Sequence, residues 1–279
     1  MPGVDAHQHF WDTSRVPLPW LRPEHEPIRG PFAPKDLDPL RHQAGVEQTI
    51  VVQAACLDAD TDFMFELAER HEWIAAVVAW LPLLSPEQTA RRLVELTAEP
   101  KLRGIRHLIH DEDDPHWILR PEVLESLRLV EAHGLILELP AVFPRHLGDV
   151  PVLAREFPRM TLVIDHLGKP PLDGDLGEWA VTLRNAARCE NVVAKISGLN
   201  TATARRDWDA GSLRPALEVA LECFGAQRLL WGSDWPVSLL NGDYARVWDE
   251  PRRAVESLAP EVVEDVFGGN ARRLYRLSD

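Results

Sequence analysis

The stretch QTIVVQAA at residues 48–55 is almost continuously apolar and does not alternate between apolar and polar residues. This pattern is typical of a strand in a parallel sheet, where both faces of the sheet are covered. Seven similar runs occur along the chain, so that the eight predicted strands are 4–10, 48–55, 74–80, 102–109, 135–141, 161–168, 191–199 and 228–235.

Amphipathic stretches lie between these runs, for example DTDFMFELAERH at 60–71 and PEVLESLRLVEAHG at 121–134. Eight alternating strands and helices in 279 residues predict a (β/α)8 barrel that forms one domain over residues 1–279. An open doubly wound sheet is the alternative fold. It is disfavoured because no GxGxxG motif follows the first predicted strand.

The composition narrows the classes of partner. The formal net charge of −14 disfavours nucleic acid as a partner, because an acidic surface repels phosphate. An apolar run of about 20 residues is lacking, so we expect no membrane partner. We also expect a cytoplasmic protein, since the first residues do not resemble a secretory signal and the three cysteines are far apart. The sequence is compatible with a homo-oligomer.

Two long connections follow predicted strands. Residues 11–34 contain Trp11, Trp20 and six prolines, and residues 200–212 contain Trp208 among charged residues. In a barrel, both would cover the face at the carboxyl ends of the strands, where barrel active sites lie. The alternative interpretation is a pair of stiff surface loops.

Polar residues interrupt the apolar strands near their carboxyl ends. Because a barrel brings those ends together around one mouth, the polar residues should meet there. Leaving each of them buried and unpaired would cost about 1–3 kcal/mol, so their number predicts mutual pairing or a functional site. They are His7, His9, Gln53, Arg106, His107, Glu138, Asp165, His166, Lys195, Ser197, Ser233 and Asp234.

His7 and His9 are two residues apart and therefore project from one face of a strand, as does Asp5. Together with His166 and Asp234, they would suit Zn²⁺ or a similar ion. They would equally suit a metal-free site, in which imidazoles donate hydrogen bonds to a carbonyl oxygen and the carboxylate takes a proton from water. Two strand histidines with purely structural partners are the simpler alternative.

Asp234 lies in the sequence WGSDWP, between Trp231 and Trp235. Partial burial between two indoles should raise the pKa of its carboxyl group, which would help a general base. The alternative is an N-cap for the following helix. Arg106 could form a structural ion pair with a neighbouring acid such as Glu138. Lys195, the only lysine inside a predicted strand, could bind a substrate oxygen.

Five motifs in this order resemble the amidohydrolase superfamily. They are DAHQHFWD (5–12), GIRH (104–107), VIDHLGKP (163–170), KISGL (195–199) and RLLWGSDWPV (228–237). The resemblance is closest to the lactonase-rich branch, which contains the L-fuconolactonase-like and L-rhamnonolactonase-like sugar-acid lactonases and 2-pyrone-4,6-dicarboxylate lactonase.

The resemblance implies a (β/α)8 barrel that hydrolyses a ring ester. It makes His7, His9 and His166 the imidazoles of the site, Asp234 the residue that activates water, and Arg106 a substrate contact. KISGL offers no further histidine, so a two-metal centre is not expected. Two possibilities remain for the site. The three histidines and Asp234 hold one divalent cation such as zinc, or the site contains no metal.

A lactone is an activated ester, so a reduced metal site can suffice for its hydrolysis. We therefore expect a sugar-acid lactone such as L-fucono- or L-rhamnono-lactone as the small-molecule substrate, in carbohydrate catabolism. The predicted substrate-binding residues are Gln53, Arg106, His107, Glu138, Lys195 and Trp235. A metal-dependent decarboxylase of the same superfamily is one alternative, and a sugar-acid binding protein without activity is another.

Overall fold

The computed structural model describes residues 2–278 and contains one sheet of eight parallel strands. The strands follow one another in chain order around the sheet, which confirms the predicted (β/α)8 barrel. Their bounds are β1 Gly3–Gln8, β2 Val46–Val52, β3 Ile74–Ala79, β4 Leu102–Arg106, β5 Ile136–Leu139, β6 Leu162–Ile164, β7 Val192–Ile196 and β8 Leu229–Trp231.

Helices alternate with these strands. Gly45 ends the first helix in the left-handed conformation (φ 74°), which glycine adopts without strain. Within residues 2–278, none of the helices has both the length and the apolar character needed to span a bilayer. The α-helices are α1 Pro34–Ala44, α2 Asp58–Arg70, α3 Pro86–Leu96, α4 Pro121–Ala132, α5 Val150–Glu156, α6 Gly177–Ala187, α7 Ala210–Phe224, α8 Tyr244–Leu258 and α9 Asn270–Leu274.

The apolar core has two parts. The larger one contains side chains from both the strands and the helices. The smaller one draws on seven of the eight strands and on Ala271 and Tyr275 from the end of the chain; its strand residues are Val4, Ala6, Ile50, Val52, Ala76, Val78, Ile136, Val163, Val193 and Leu230. The strand residues that follow toward the carboxyl ends include Glu138 and Lys195, so the polar site is built on this apolar base.

Side chains along β1 do not alternate strictly between the two faces of the strand. The register between β1 and β2 shifts between Asp5 and Gln8. Asp5 accepts a hydrogen bond from the hydroxyl of Tyr244 in α8, whereas His7 lies against Lys195 of β7. The expectation that Asp5 joins the two histidines on one inward face is therefore wrong.

The barrel closes between β1 and the segment that follows β8. The amide of Asp234 donates to the carbonyl of His7 (2.7 Å), and the amide of His9 donates to the carbonyl of Trp235 (2.7 Å). The buried carboxylate of Asp5 accepts from the Ser233 amide (2.8 Å) and the Tyr244 hydroxyl (3.1 Å). Burial raises the pKa of Asp5 to about 6, against the opposing effect of these donors.

We expect Asp5→Ala to lower the free energy of unfolding by about 3 kcal/mol, because three buried donors lose their acceptor. These donors are the amides of His7 and Ser233 and the hydroxyl of Tyr244. Urea denaturation followed by circular dichroism measures the change. Asp113→Ala, which removes an exposed carboxylate, is the matched control. A loss below about 1 kcal/mol for Asp5→Ala would show that closure does not depend on this carboxylate.

Candidate active site

Three imidazoles and one carboxylate meet at the mouth of the barrel. The Nε2 atoms of His7, His9 and His166 lie 3.7, 3.4 and 4.0 Å from Oδ1 of Asp234. All four residues are buried, and the His7 ring meets the other two rings edge to face, with centroids 4.9 and 4.7 Å away. His7 lies in β1, and His9, His166 and Asp234 lie in the segments that follow β1, β6 and β8.

The other nitrogen of each ring faces a neighbouring oxygen atom. His9 Nδ1 lies 2.7 Å from the carbonyl oxygen of Val52, and His166 Nδ1 lies 2.8 Å from Oγ of Ser197. A carbonyl oxygen only accepts, so His9 donates from Nδ1 and its neutral ring presents the Nε2 lone pair to Asp234. His7 Nδ1 lies 3.3 Å from Asp165 Oδ1.

The strands end earlier than predicted, and the residues after them adopt an unusual backbone. β6 ends at Ile164 and β8 at Trp231, so His166 and Asp234 follow their strands instead of belonging to them. Both have φ of 56°, in the left-handed region that side chains other than glycine rarely occupy. Such local strain is typical of functional sites, where the surrounding structure holds it in place.

Gly198 makes room for both residues. Its φ is also 56°, and a Cβ atom added there would lie 2.7 Å from Oδ2 of Asp234 and 2.7 Å from Nδ1 of His166. Gly232 has the same function on the other side, because an added Cβ would lie 2.6 Å from the Cβ of His7. The glycines of KISGL and WGSDW therefore permit the close approach of the site residues.

The electrostatics of Asp234 differ from the expectation. Burial alone would raise the pKa of its carboxyl group, but His166, His9 and His7, which carry positive charge when they are protonated, lower that pKa well below its usual range. The prediction of a raised pKa is therefore wrong, because the imidazoles affect this pKa more than burial does. Burial lowers the pKa of His166 to about 4, against the opposing charge of Asp234.

A buried charge network lies beneath the four residues. Arg106 donates to Asp165 (3.0 Å) and to the side-chain and main-chain oxygens of Gln53 (2.9 and 2.6 Å). Lys195 donates to Glu138 (2.5 Å), which also accepts from the hydroxyl of Tyr275. Arg106 thus forms the structural ion pair considered as an alternative, and its carboxylate partner is Asp165, not Glu138.

A cavity of about 340 Å³ opens above the site. Of the residues proposed from the sequence, His9, Arg106, His166 and Asp234 line it. One part of the wall is apolar. The other lining residues are Trp20, Arg22, His25, Ala54, Leu108, His110, Asp111, Pro140, Val142, Lys169, Val237 and Leu240.

Five predicted substrate-binding residues do not line this cavity. Gln53, Glu138 and Lys195 are fully buried in the charge network below it. His107 accepts from the Trp80 indole at Nδ1 (3.0 Å) and so donates from Nε2 to Glu112 (2.8 Å), which occupies both ring nitrogens. Its ring stacks on Trp117 at 4.0 Å.

The fifth of these residues, Trp235, is also buried. Its indole meets the rings of Phe10 and Phe32 edge to face, at 5.8 and 5.3 Å. These five residues therefore do not lie where they could contact a substrate directly. They support the site or the loops around it.

The structure adds lining residues that the sequence reasoning did not assign. Trp20, Arg22 and His25 come from the long 11–34 connection, which accordingly covers the mouth as expected. The 200–212 connection contributes no lining residue, and Trp208 is buried with its indole donating to the carbonyl of Asn241 (2.7 Å). Of these two long connections, therefore, only residues 11–34 reach the cavity.

Lys169, in the motif VIDHLGKP, is a further cationic residue at the cavity. Its ammonium donates to the Gly198 carbonyl (3.0 Å) and the Thr201 hydroxyl (2.6 Å), and the residue lines the cavity. An ammonium has three N–H donors, so one is left for a ligand. A lysine three residues after the histidine near the end of a predicted strand was the available signal in the sequence.

The donor set fits one divalent cation. One ligand atom from each of His7, His166 and Asp234 lies within 4.8 Å of the others. His9 adds a fourth donor, whose Nε2 lone pair faces a carboxylate oxygen at 3.4 Å. Two acceptors facing each other are stable when a cation lies between them, and three imidazoles with one carboxylate are typical zinc ligands.

Comparison with known proteins agrees with this arrangement. A family model described as Amidohydrolase matches residues 4–277. The chain is 38% identical to the L-fucono-1,5-lactonase of Burkholderia ambifaria, over 98% of this chain and 95% of that protein. It is 36% identical to the L-fucono-1,5-lactonase of Burkholderia multivorans, over 99% of this chain and 96% of that protein.

A crystal structure of an amidohydrolase from Burkholderia multivorans with bound zinc matches with a TM-score of 0.90 and 36% identity, over the full length of both chains. The sequence and structural matches each run from the first strand of the barrel to its last helix, and the chain therefore belongs to the amidohydrolase family.

Proposed function

We propose that this protein is an enzyme that hydrolyses the ring ester of a sugar-acid lactone. The observation that carries the proposal is the Asp234 carboxylate, surrounded by three imidazoles at the base of a cavity. The names of the two Burkholderia relatives support L-fucono-1,5-lactone as the first substrate to test.

In this proposal Asp234 positions a water molecule and takes its proton as the water attacks the lactone carbonyl. A positioned base contributes about 10²–10⁴-fold to the rate. When the ring opens, the protonated carboxyl returns the proton to the departing alkoxide oxygen, so that one residue serves both steps. A carboxylate is a weak base, so Asp234 needs a water molecule that is more acidic than bulk water.

A divalent cation, when bound, supplies that acidity and polarises the carbonyl group. His7, His9, His166 and Asp234 would hold it, and zinc is the proposed ion because the donors are three imidazoles and one carboxylate. The crystal structure of the Burkholderia multivorans amidohydrolase with bound zinc supports this choice.

Substrate binding is assigned to groups that reach the cavity. Arg106 and Lys169 present cationic donors for the carbonyl and hydroxyl oxygens of the lactone. The apolar wall and Trp20 face the carbon-bound hydrogens of the sugar. The decarboxylase and the binding protein considered from the sequence have no specific observation in their favour.

We expect Asp234→Asn to remain folded, to bind the sugar-acid product normally and to lose at least about 10²-fold in kcat, because the amide cannot take a proton. A pH-indicator assay with L-fucono-1,5-lactone measures the rate. Asp243→Asn, the same substitution at the exposed N-cap of α8, is the control and should keep wild-type activity. A kcat within tenfold of wild type would exclude Asp234 as the base.

Metal content provides a second test. We expect at most one equivalent of divalent ion per chain, because the group of His7, His166 and Asp234 is the only potential ligand group with more than one histidine among residues 2–278. Elemental analysis of protein purified without chelator measures it. Two equivalents in the wild-type protein would contradict the mononuclear assignment.

A further inference from the structure

The buried network below the active site contains a second set of potential metal ligands. One ligand atom each from His7, Glu138 and Asp165 lies within 4.8 Å of the others. His7 Nδ1 is 3.3 Å from Asp165 Oδ1 and 3.8 Å from Glu138 Oε2. Ligand atoms around a tetrahedral zinc ion with bonds of about 2.0–2.2 Å lie roughly 3.3–3.6 Å apart, so these separations are close to those of a metal site.

A cation already lies among these atoms. The ammonium of Lys195 is 2.5 Å from Glu138 Oε2, 3.2 Å from His7 Nδ1 and 3.6 Å from Asp165 Oδ1. All four side chains are fully buried or nearly so. An isolated carboxylate in such a place would be very costly, so Glu138 and Asp165 require a positive charge close by.

One oxygen of the set is only partly satisfied. Asp165 Oδ1 is buried and has no hydrogen bond of good geometry among residues 2–278, although His7 and Lys195 face it. The other oxygen of this carboxylate accepts from Arg106 at 3.0 Å. A lone pair thus points toward the position of the ammonium, as it would toward a metal ion.

We propose that the Lys195 ammonium replaces a second metal ion between His7, Glu138 and Asp165, and that this lysine limits the barrel to the single ion of the upper site. Lys195 is then a positioning residue. It neutralises two carboxylates and holds the Nδ1 side of His7, while the Nε2 atom of the same ring faces Asp234. The inference concerns metal stoichiometry and does not depend on which lactone is hydrolysed.

The test is to remove the ammonium and to offer zinc. Lys195→Ala empties the space but keeps the three ligands, so the purified variant should retain one more equivalent of zinc per chain than wild type. Its melting temperature should also rise by at least about 5 °C in excess zinc, since an ion that binds only the folded state stabilises it.

Two further variants locate the extra ion. Lys195→Ala combined with Glu138→Gln has the same space and one ligand fewer, and its zinc content should return to that of wild type. Lys195→Ala combined with Asp234→Asn should still retain the extra ion, because Asp234 belongs to the upper site only.

Two results would overturn the proposal. One is a folded Lys195→Ala variant whose zinc content equals that of wild type. The other is a variant that stays unfolded both without zinc and in excess zinc, because zinc would then not replace the ammonium. The assay of lactone hydrolysis by the wild-type protein is separate, so failure here and failure of the proposed function are distinguishable.

Discussion

The backbone hydrogen bond from the Asp234 amide to the His7 carbonyl is the contact on which the site depends. It joins the first strand to the segment after the eighth and so closes the barrel. The same contact places an imidazole beside the carboxylate that is proposed to activate water. It requires Gly232, since any Cβ there would collide with His7. Closure of the fold and assembly of the active site are therefore one event.

The second constraint is the balance of charge inside the barrel. Glu138 and Asp165 are matched by Lys195 and Arg106, and each pair is in hydrogen-bond contact. A buried charge without a partner costs several kcal/mol, whereas a matched set of ions with satisfied hydrogen bonds can be retained. This leaves Asp234 as the carboxylate that faces both the imidazoles and the cavity, which is the arrangement that a base or a metal ligand requires.

The eight strands could be predicted because long apolar runs such as 48–55 are specific for parallel sheets. The convergence of His7, His9, His166 and Asp234 follows from the rule that barrel strands end at one mouth. The early ends of β6 and β8 could not be predicted, because nothing in the sequence indicates the left-handed backbone conformation of His166 and Asp234. The partner of Arg106 and the pKa of Asp234 depend on distances across the barrel. A single sequence does not contain these distances.

The way the barrel closes also bears on how the chain is made. The Ser233 hydroxyl and the His7 carbonyl, which meet at the closure, are separated by 226 positions in the sequence. During synthesis on the ribosome, β1 can pair with β2 early, but its other edge has no partner until residues 233–235 emerge. An open strand edge is a template for pairing with other chains. For most of its synthesis, then, the nascent chain carries an unpaired, aggregation-prone edge at β1, the strand that holds His7.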